Sequence, residues 1–556
     1  MKITCALVCI LLWAPVAAFA ADTPRTDERD TDTKTLRVFI FAGQSNMVGS
    51  DSKTEDIKHY PPFAGLDMPQ QNVLFSYNIG REDKSTSNGW VALQPVHNVV
   101  GPELSFARRV SQNIESPIAI IKCASGGTAL GDDWNPDDPS GFKLYPLALE
   151  LVRSSLAELD QRKIAYRLEG FMWHQGENDM FNQTFKPAYA KNLTNFIASW
   201  RRDLQTPDLR FYIGELCTKT IWGMDNRDNM HAIRTAQKSV ADADLLADYI
   251  PTSHDAVEIG GHEGLHYHYG TLGQLEHGVN YADAYLRTIG QLPATVRPLK
   301  VWPYAKGSPV KLFLLAGHRN MEGERAFTQD LNKLPGQELL AEDNARIAFK
   351  YSLGGGYKTS QGWEPLGPAG CYETFGPELS FGRALQAKLP GNIAIAKFTH
   401  SGSQINDWTP QGTTAKDCNL YSPFLTFIQE SIRELEAKGH PVEVAGIFYH
   451  IGENDIAFYP YRKEAPIWLQ STVLQSRRDL ALPTLKWYVS QQPPPAQEGL
   501  NRIDITANLT AISAVDSAFV HLKVFDLPPQ PEKLVLNTPG VIKLGESLAQ
   551  SYLDHQ

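Results

Sequence analysis

Gly43-Gln44-Ser45-Asn46-Met47 directly follows the apolar run Val38-Phe39-Ile40-Phe41-Ala42. A strand that runs into a tight glycine turn and exposes a hydroxyl presents a nucleophile, and a serine used this way needs a base to take its proton. His266, within Glu263-Gly264-Leu265-His266, is a base with an acid three residues before it. At that spacing the carboxylate can orient the imidazole and stabilise its protonated form while the other ring nitrogen faces the serine. The negative charge that develops on an attacked carbonyl needs hydrogen-bond donors. Candidates are the backbone N–H of Ser45, that of Gly127 in Ser125-Gly126-Gly127-Thr128, and the side-chain amide of Gln175. Ser45, His266 and Glu263 with this oxyanion hole would carry out acyl transfer. Glu177 and Asp179 read as carboxylates that cap helices and hold loops.

The elements that must position these residues alternate. Strands are expected at Arg37–Ala42, Pro117–Lys122, Gly170–His174 and Leu209–Glu215, with helical patterns between them. Leu149, Val152, Leu156 and Leu159 fall on one face of such a helix. Short apolar strands separated by helices imply an α/β fold with a parallel sheet, helices on both faces and chemistry at the C-terminal strand ends.

The whole passage occurs twice. Gly317-His318-Arg319-Asn320-Met321 repeats the first turn, GPELSF stands at both Gly101–Phe106 and Gly376–Phe381, Asp133-Trp134 matches Asp407-Trp408, and Gly176–Asp179 matches Gly452–Asp455. Solenoid repeats run to about 20–50 residues, so a period this long is a duplicated domain. Residues 35–290 form the first unit, the Pro-rich 291–309 a linker, and 310–556 the second unit. Glu103 lies in the repeated GPELSF and is retained as Glu378, which suits a structural role at least as well as a functional one. In the second unit Arg319 replaces the serine, Ile451 replaces Gln175 and Val535 stands for the histidine, while Gly402 and Glu532 keep the glycine and acid stations. That copy is expected to be catalytically inactive.

Residues 1–20 have the charged start, short apolar middle and small-residue exit of a cleaved signal peptide, and 21–34 read as a disordered lead-in. The expectation is a secreted or periplasmic protein. No later stretch approaches the roughly 20 apolar residues of a membrane span. A net charge of −10 without a basic cluster excludes nucleic acid and anionic membrane as expected partners. Cys123 and Cys217 follow strands and read as small apolar groups, whereas Cys371 and Cys418 fall in loops where a disulfide is open. His262-Glu263-Gly264-Leu265-His266 also matches H-E-x-x-H, a zinc-peptidase signature that works only on a helix. Its glycines, each costing about 1 kcal/mol in a helix, disfavour that reading, so no metal is expected and His254, His268 and His277 read as loop or surface histidines.

Taken together, GQSNM, GPELSF, WHQGEND at Trp173–Asp179 and GLHY at Gly264–Tyr267 resemble the SGNH hydrolase superfamily. Within it they are similar to the sialate O-acetylesterase and acetylxylan esterase group, carbohydrate esterase family six. The resemblance implies two flavodoxin-like three-layer α/β/α domains, the second degenerate. It further implies an acetylated carbohydrate substrate, no cofactor, and Ser45, Gly127, Gln175 and His266 in the roles given above. The family usually has aspartate where this chain has Glu263, and Asp255 is the other conceivable acid. The alternatives are a carbohydrate-binding or scaffolding protein and, last, the zinc peptidase.

Overall fold

The computed structural model describes residues 34–80, 84–217, 220–221, 224–256, 268–293, 297–413, 419–457, 461–496, 502–528 and 534–556. The expected signal peptide, Glu263, His266 and Cys418, and with Cys418 the disulfide, lie outside them.

The strands of the first unit are β1 (Leu36–Gly43), β2 (Gln70–Ile79), β3 (Ser85–Thr86), β4 (Val91–Leu93), β5 (Ile118–Ala124), β6 (Tyr166–His174), β7 (Phe211–Gly214), β8 (Thr220–Ile221), β9 (Met224–Asp225) and β10 (Ala247–Ile250). Its α-helices are α1 (Ser45–Val48), α2 (Glu103–Ser111), α3 (Leu144–Gln161), α4 (Phe185–Asp203), α5 (Arg227–Ala243) and α6 (Gly270–Thr288). Apart from the separate β8–β9 hairpin, the strands form one sheet in the order β10-β7-β6-β1-β5-β2-β3, with β4 on β2. The long strands pair in parallel, and only the short β3 and β4 run antiparallel, at the β2 edge. All four expected strands are present. The sequence reading missed β2 and β10, whose polar and charged residues interrupt any apolar run.

The strand β1 is buried along its whole length, as a central parallel strand must be. Its alternate residues divide two cores: Val38, Ile40 and Ala42 face the layer containing α3, α4 and α5, while Phe39 and Phe41 face α2 and α6. Full burial of such a side chain contributes roughly 1.5–3 kcal/mol, so this pattern anchors β1 from both sides. Because β1 lies between β5 and β6, its C-terminal end sits where the chain turns from building one half of the sheet to the other. Open parallel sheets bind their ligands at such a crevice.

The second unit repeats the design. Its strands are β11 (Val310–Gly317), β12 (Asn344–Leu353), β13 (Lys358–Thr359), β14 (Glu364–Leu366), β15 (Asn392–Thr399), β16 (Val442–His450), β17 (Trp487–Gln491) and β18 (Phe519–Lys523). Their order, β13-β12-β15-β11-β16-β17-β18 with β14 on β12, matches the first sheet strand for strand. Helices α7 (Arg319–Glu322), α8 (Thr328–Leu331), α9 (Glu378–Lys388), α10 (Tyr421–Ala437), α11 (Glu453–Ala457), α12 (Tyr461–Asp479), α13 (Ile505–Val515) and α14 (Thr538–Asp554) complete it. Even the irregularity repeats: the β1–β6 register slips between Val38 and Phe39, and the β11–β16 register between Leu312 and Phe313. Residues 297–309 are more than a spacer. Arg297 pairs with Asp343 at 2.6 Å, Trp302 Nε1 donates to His440 at 2.7 Å, and the Tyr304 hydroxyl accepts from Ala348 N at 2.8 Å.

The GPELSF repeat has a structural explanation. Glu103 and Lys122 form a buried ion pair at 2.6 Å, and Glu378 and Lys397 form its counterpart at 2.7 Å. Burial pushes the Lys122 ammonium down and Glu103 pulls it back up. A side chain at Gly101 or Gly376 would strike the respective pair, which fixes glycine there. Breaking a buried pair leaves an uncompensated charge, so Glu103→Ala should destabilise the first domain by about 3–5 kcal/mol, read from its urea midpoint. The double change Glu103→Leu/Lys122→Met should recover most of that loss.

Candidate active site

Ser45 stands one residue beyond the turn that ends β1. Gly43 has φ +152°, and a Cβ there would run into the His174 carbonyl at the end of β6. Gln44 N donates to that carbonyl at 3.1 Å, and Ser125 N donates to Gly43 O at 3.1 Å, so the turn is tied to both neighbouring strands. The single helical turn α1 then begins at Ser45 and closes at Gly49, φ +102°. Ser45 remains 8% exposed at this strand end. Gly126 passes beside it, close enough that a Cβ at 126 would lie 3.5 Å from that of Ser45. Gly127 follows with φ +69°. Ser45 and the Gly127 loop therefore come together as the sequence suggested.

A buried polar network holds these loops. Asp179 accepts from Leu130 N at 2.8 Å, from Gly131 N at 3.0 Å and from Gln175 Nε2 at 2.6 Å, which clamps the Gly127 loop to the β6 loop. Glu177 accepts from Asn46 Nδ2 at 2.6 Å and so fastens the same loop to the serine turn. Both carboxylates hold loops, as expected. Thr128 adds a further tie by accepting from Trp134 Nε1 at 3.1 Å.

Gln175 reaches the site, but its side chain is fully buried and already committed. Its two amide protons face three acceptors: Asp179 at 2.6 Å, Thr128 O at 3.0 Å and Gln44 Oε1 at 3.1 Å. Donation to an oxyanion would require one of these to be given up. Asn178, which the sequence reading did not single out, is placed differently. Its Oδ1 accepts from Gln44 Nε2 at 3.3 Å, and among the described residues its Nδ2 makes no hydrogen bond. The signal was present in the repeated Gly-Glu-Asn-Asp, where the flanking carboxylates drew the attention.

The histidines depart from expectation. His277 and His254 are fully buried rather than loop or surface groups, and His277 stacks edge-on against His174 at 4.7 Å. Burial pulls His174 down to about 3, which keeps it neutral beside Glu177 and unfit to act as a base at neutral pH. His268 lies 2.6 Å from the exposed Asp51. Asp255, the other candidate acid, is buried and accepts from Asn280 Nδ2 at 2.7 Å and from the Tyr372 hydroxyl of the second unit at 2.9 Å.

In the second unit the framework persists around different stations. Ile405 N donates to Asp455 as Leu130 does to Asp179, and Trp408 Nε1 donates to Ser403 as Trp134 does to Thr128. Arg319, in the serine position, is buried with Glu324 at 3.2 Å. The histidine station needs correction. Leu536 N donates to Asn320 Oδ1 as Tyr269 N does to Asn46 Oδ1, and the Thr538 hydroxyl repeats that of Thr271 in accepting a backbone N–H. Three residues before Leu536 is Lys533, outside the described residues, so Lys533 and not Val535 matches His266.

Residues 35–287 and 309–554 each match the family described as carbohydrate esterase, sialic acid-specific acetylesterase. A probable carbohydrate esterase of Arabidopsis thaliana is 28% identical over 193 residues, which span 31% of this chain and 66% of that protein. The crystal structure of that plant protein aligns at 23% identity with a TM-score of 0.34, over 45% of this chain and 98% of its own. The crystal structure of NanS aligns at 16% identity and a TM-score of 0.35, over 46% and 97%. A carbohydrate acetylesterase from Xanthomonas citri aligns at 18% and 0.33, over 43% and 55%.

The Asp179 clamp should be visible in a pH titration. Burial raises its carboxyl to about 6 against the pull of its donors. Below the unfolded value of about 4 both states hold the proton, and between there and about 6 only the folded state does. Stability should therefore fall as pH rises through that window, by up to about 3 kcal/mol from this group. Asp179→Asn should flatten that stretch of the curve in urea denaturation.

Proposed function

We propose that this chain, which belongs to the sialic acid-specific acetylesterase family of carbohydrate esterases, removes O-acetyl groups from acetylated sugars through a Ser45 acyl-enzyme. The observation that carries the reading is the position of Ser45: at the C-terminal end of the central strand, beside the Gly126-Gly127 loop, with Asn178 tied to the preceding Gln44. His266 takes the Ser45 proton as Oγ attacks the acetyl carbonyl, and Glu263 stabilises the imidazolium. The N–H groups of Ser45 and Gly127 receive the developing oxyanion. Asn178 Nδ2 joins them without giving up a partner, and Gln175 joins only by releasing one. As the tetrahedral intermediate collapses and the bond to the sugar oxygen breaks, His266 gives its proton to that oxygen, releasing the sugar as an alcohol and leaving acetyl-Ser45. Water deprotonated by the same histidine releases acetate.

The chain carries this site once. Arg319 cannot act as a nucleophile and Ile451 lacks an amide, so the second domain is catalytically silent in this reading. The leader expected from the sequence supports a secreted or periplasmic location.

Full-length Ser45→Ala and His266→Ala should each lower kcat on a small acetyl ester by about 10³–10⁶-fold, because triad members act as a unit. Near-normal acetate release by a folded Ser45→Ala protein would reject the assignment. His268→Ala should be far milder, and the reverse order would move the base to His268. Asn178→Ala should cost about 10²–10³ in kcat with KM little changed. Chelation should leave turnover intact, whereas loss restored by zinc would favour the metal reading.

A further inference from the structure

We infer that the second domain holds the start of the segment carrying Glu263 and His266, with Tyr372 as the positioning residue. This rests on the reading of His266 as the base. Residues 254–256 lead directly into that segment, and they are gripped from two sides. From the first domain, Ala256 N donates to Glu276 Oε2 at 2.5 Å and Asn280 Nδ2 donates to Asp255 Oδ1 at 2.7 Å, with Glu276 and Asn280 one turn apart on α6. From the second domain, the Tyr372 hydroxyl lies 3.0 Å from His254 Nε2, 2.9 Å from Asp255 Oδ1 and 2.7 Å from Asn280 Oδ1. Tyr357 stacks on the His254 ring at 3.7 Å and donates to Asn280 Oδ1 at 2.9 Å.

The approach of the two domains is built for this contact. Gly354, φ +57°, lies where a Cβ would come within 2.9 Å of the His254 Cβ, so only glycine lets the β12–β13 turn come so close. His254, Asp255 and Asn280 are buried, and Tyr372 is 9% exposed. The described flanks of the segment also meet. The Tyr269 hydroxyl donates to Thr252 Oγ1 at 2.8 Å, and Tyr269 N donates to Asn46, the neighbour of Ser45. A hydroxyl from the second domain therefore joins the contacts that hold residues 254–255 on one flank of the segment, while Tyr269 on the other flank is tied to the neighbour of Ser45. Removing it takes away the one proton that the Tyr372 hydroxyl offers to Asp255 and Asn280, leaves Asp255 with Asn280 Nδ2 and Asn280 with the Tyr357 hydroxyl, and so loosens the grip of the second domain on residues 254–256.

The test uses the full-length protein. Tyr372→Phe should lower kcat on a small acetyl ester by about 10–100-fold with KM within about twofold, since a small misplacement of a catalytic group acts on turnover. Amide hydrogen exchange across residues 257–267 should quicken while exchange elsewhere at the interface stays close to wild type. Phe327→Leu, which loosens the same interface where Phe327 meets Tyr60, should lower Tm without changing kcat. Should Tyr372→Phe fail to fold, Tyr357→Phe removes one donor and should show the same pattern more weakly. Wild-type kcat in Tyr372→Phe, or exchange that rises evenly over the interface, would overturn the inference. If the wild-type protein shows no Ser45-dependent acetate release, the acetylesterase reading fails and the exchange result alone decides whether Tyr372 holds the segment.

Discussion

The arrangement around Ser45 depends on one buried carboxylate. Asp179 takes backbone N–H groups from the β5 loop and an amide proton from Gln175, which in turn reaches Gln44, the residue before Ser45. Parallel strands bring three chain segments to one end of a sheet, but apolar packing below the strand ends cannot set the loops above them to a few tenths of an ångström. Directional hydrogen bonds in a low-dielectric setting can, because each unmade bond there costs the full desolvation of its group. The network is therefore close to all-or-none. The raised Asp179 carboxyl is the measure of how strongly burial opposes the charge that the loops require.

The second domain separates scaffold from chemistry within one chain. What it keeps is the strand order, the register slip, the Glu378–Lys397 pair, the Asp455 clamp and the Asn320 tie to Leu536. What it changes is coordinated. Where Gln44 and Gln175 pair in the first domain, Ile451 offers no amide, and His318 instead contacts the Tyr449 hydroxyl at 2.5 Å and the Ser403 hydroxyl at 2.8 Å. One buried polar pair has replaced another at the same level of the fold. Arg319 brings its own counter-charge in Glu324. These substitutions replace the serine and the glutamine pair while the framework around them is kept.

The fold was legible because it is written in long apolar strands and an internal repeat. Each expected strand of the first domain stands within a few residues of its place, and β1 carries the alternation that splits the core into two layers. The strand β2 was not legible, since it mixes the exposed Gln71 and Asn72 with buried positions. That the Ser45 turn and the Gly127 loop meet was readable from the turn chemistry of glycine. The state of Gln175 was not, because whether an amide is available depends on which acceptors the folded loops bring to it. The Val535 assignment failed for a related reason: local likeness of Leu-x-Leu to Leu-His-Tyr outweighed the helix start, and only the hydrogen bonds of Asn320 and Thr538 fix the register.

The interface between the domains follows the same physics as the site. An apolar contact such as Tyr60 against Phe327 tolerates sliding, because dispersion and area burial change little over small displacements. The polar contact at Tyr372 does not. A shift that separates its hydroxyl from Asp255 and Asn280 gives up a buried hydrogen bond, at roughly 1–3 kcal/mol. The aromatic contact therefore supplies attraction while the tyrosine hydroxyl supplies register, and docking has one favoured orientation. That division of labour reproduces, between domains, the relation of the apolar strands to the Asp179 network within the first domain.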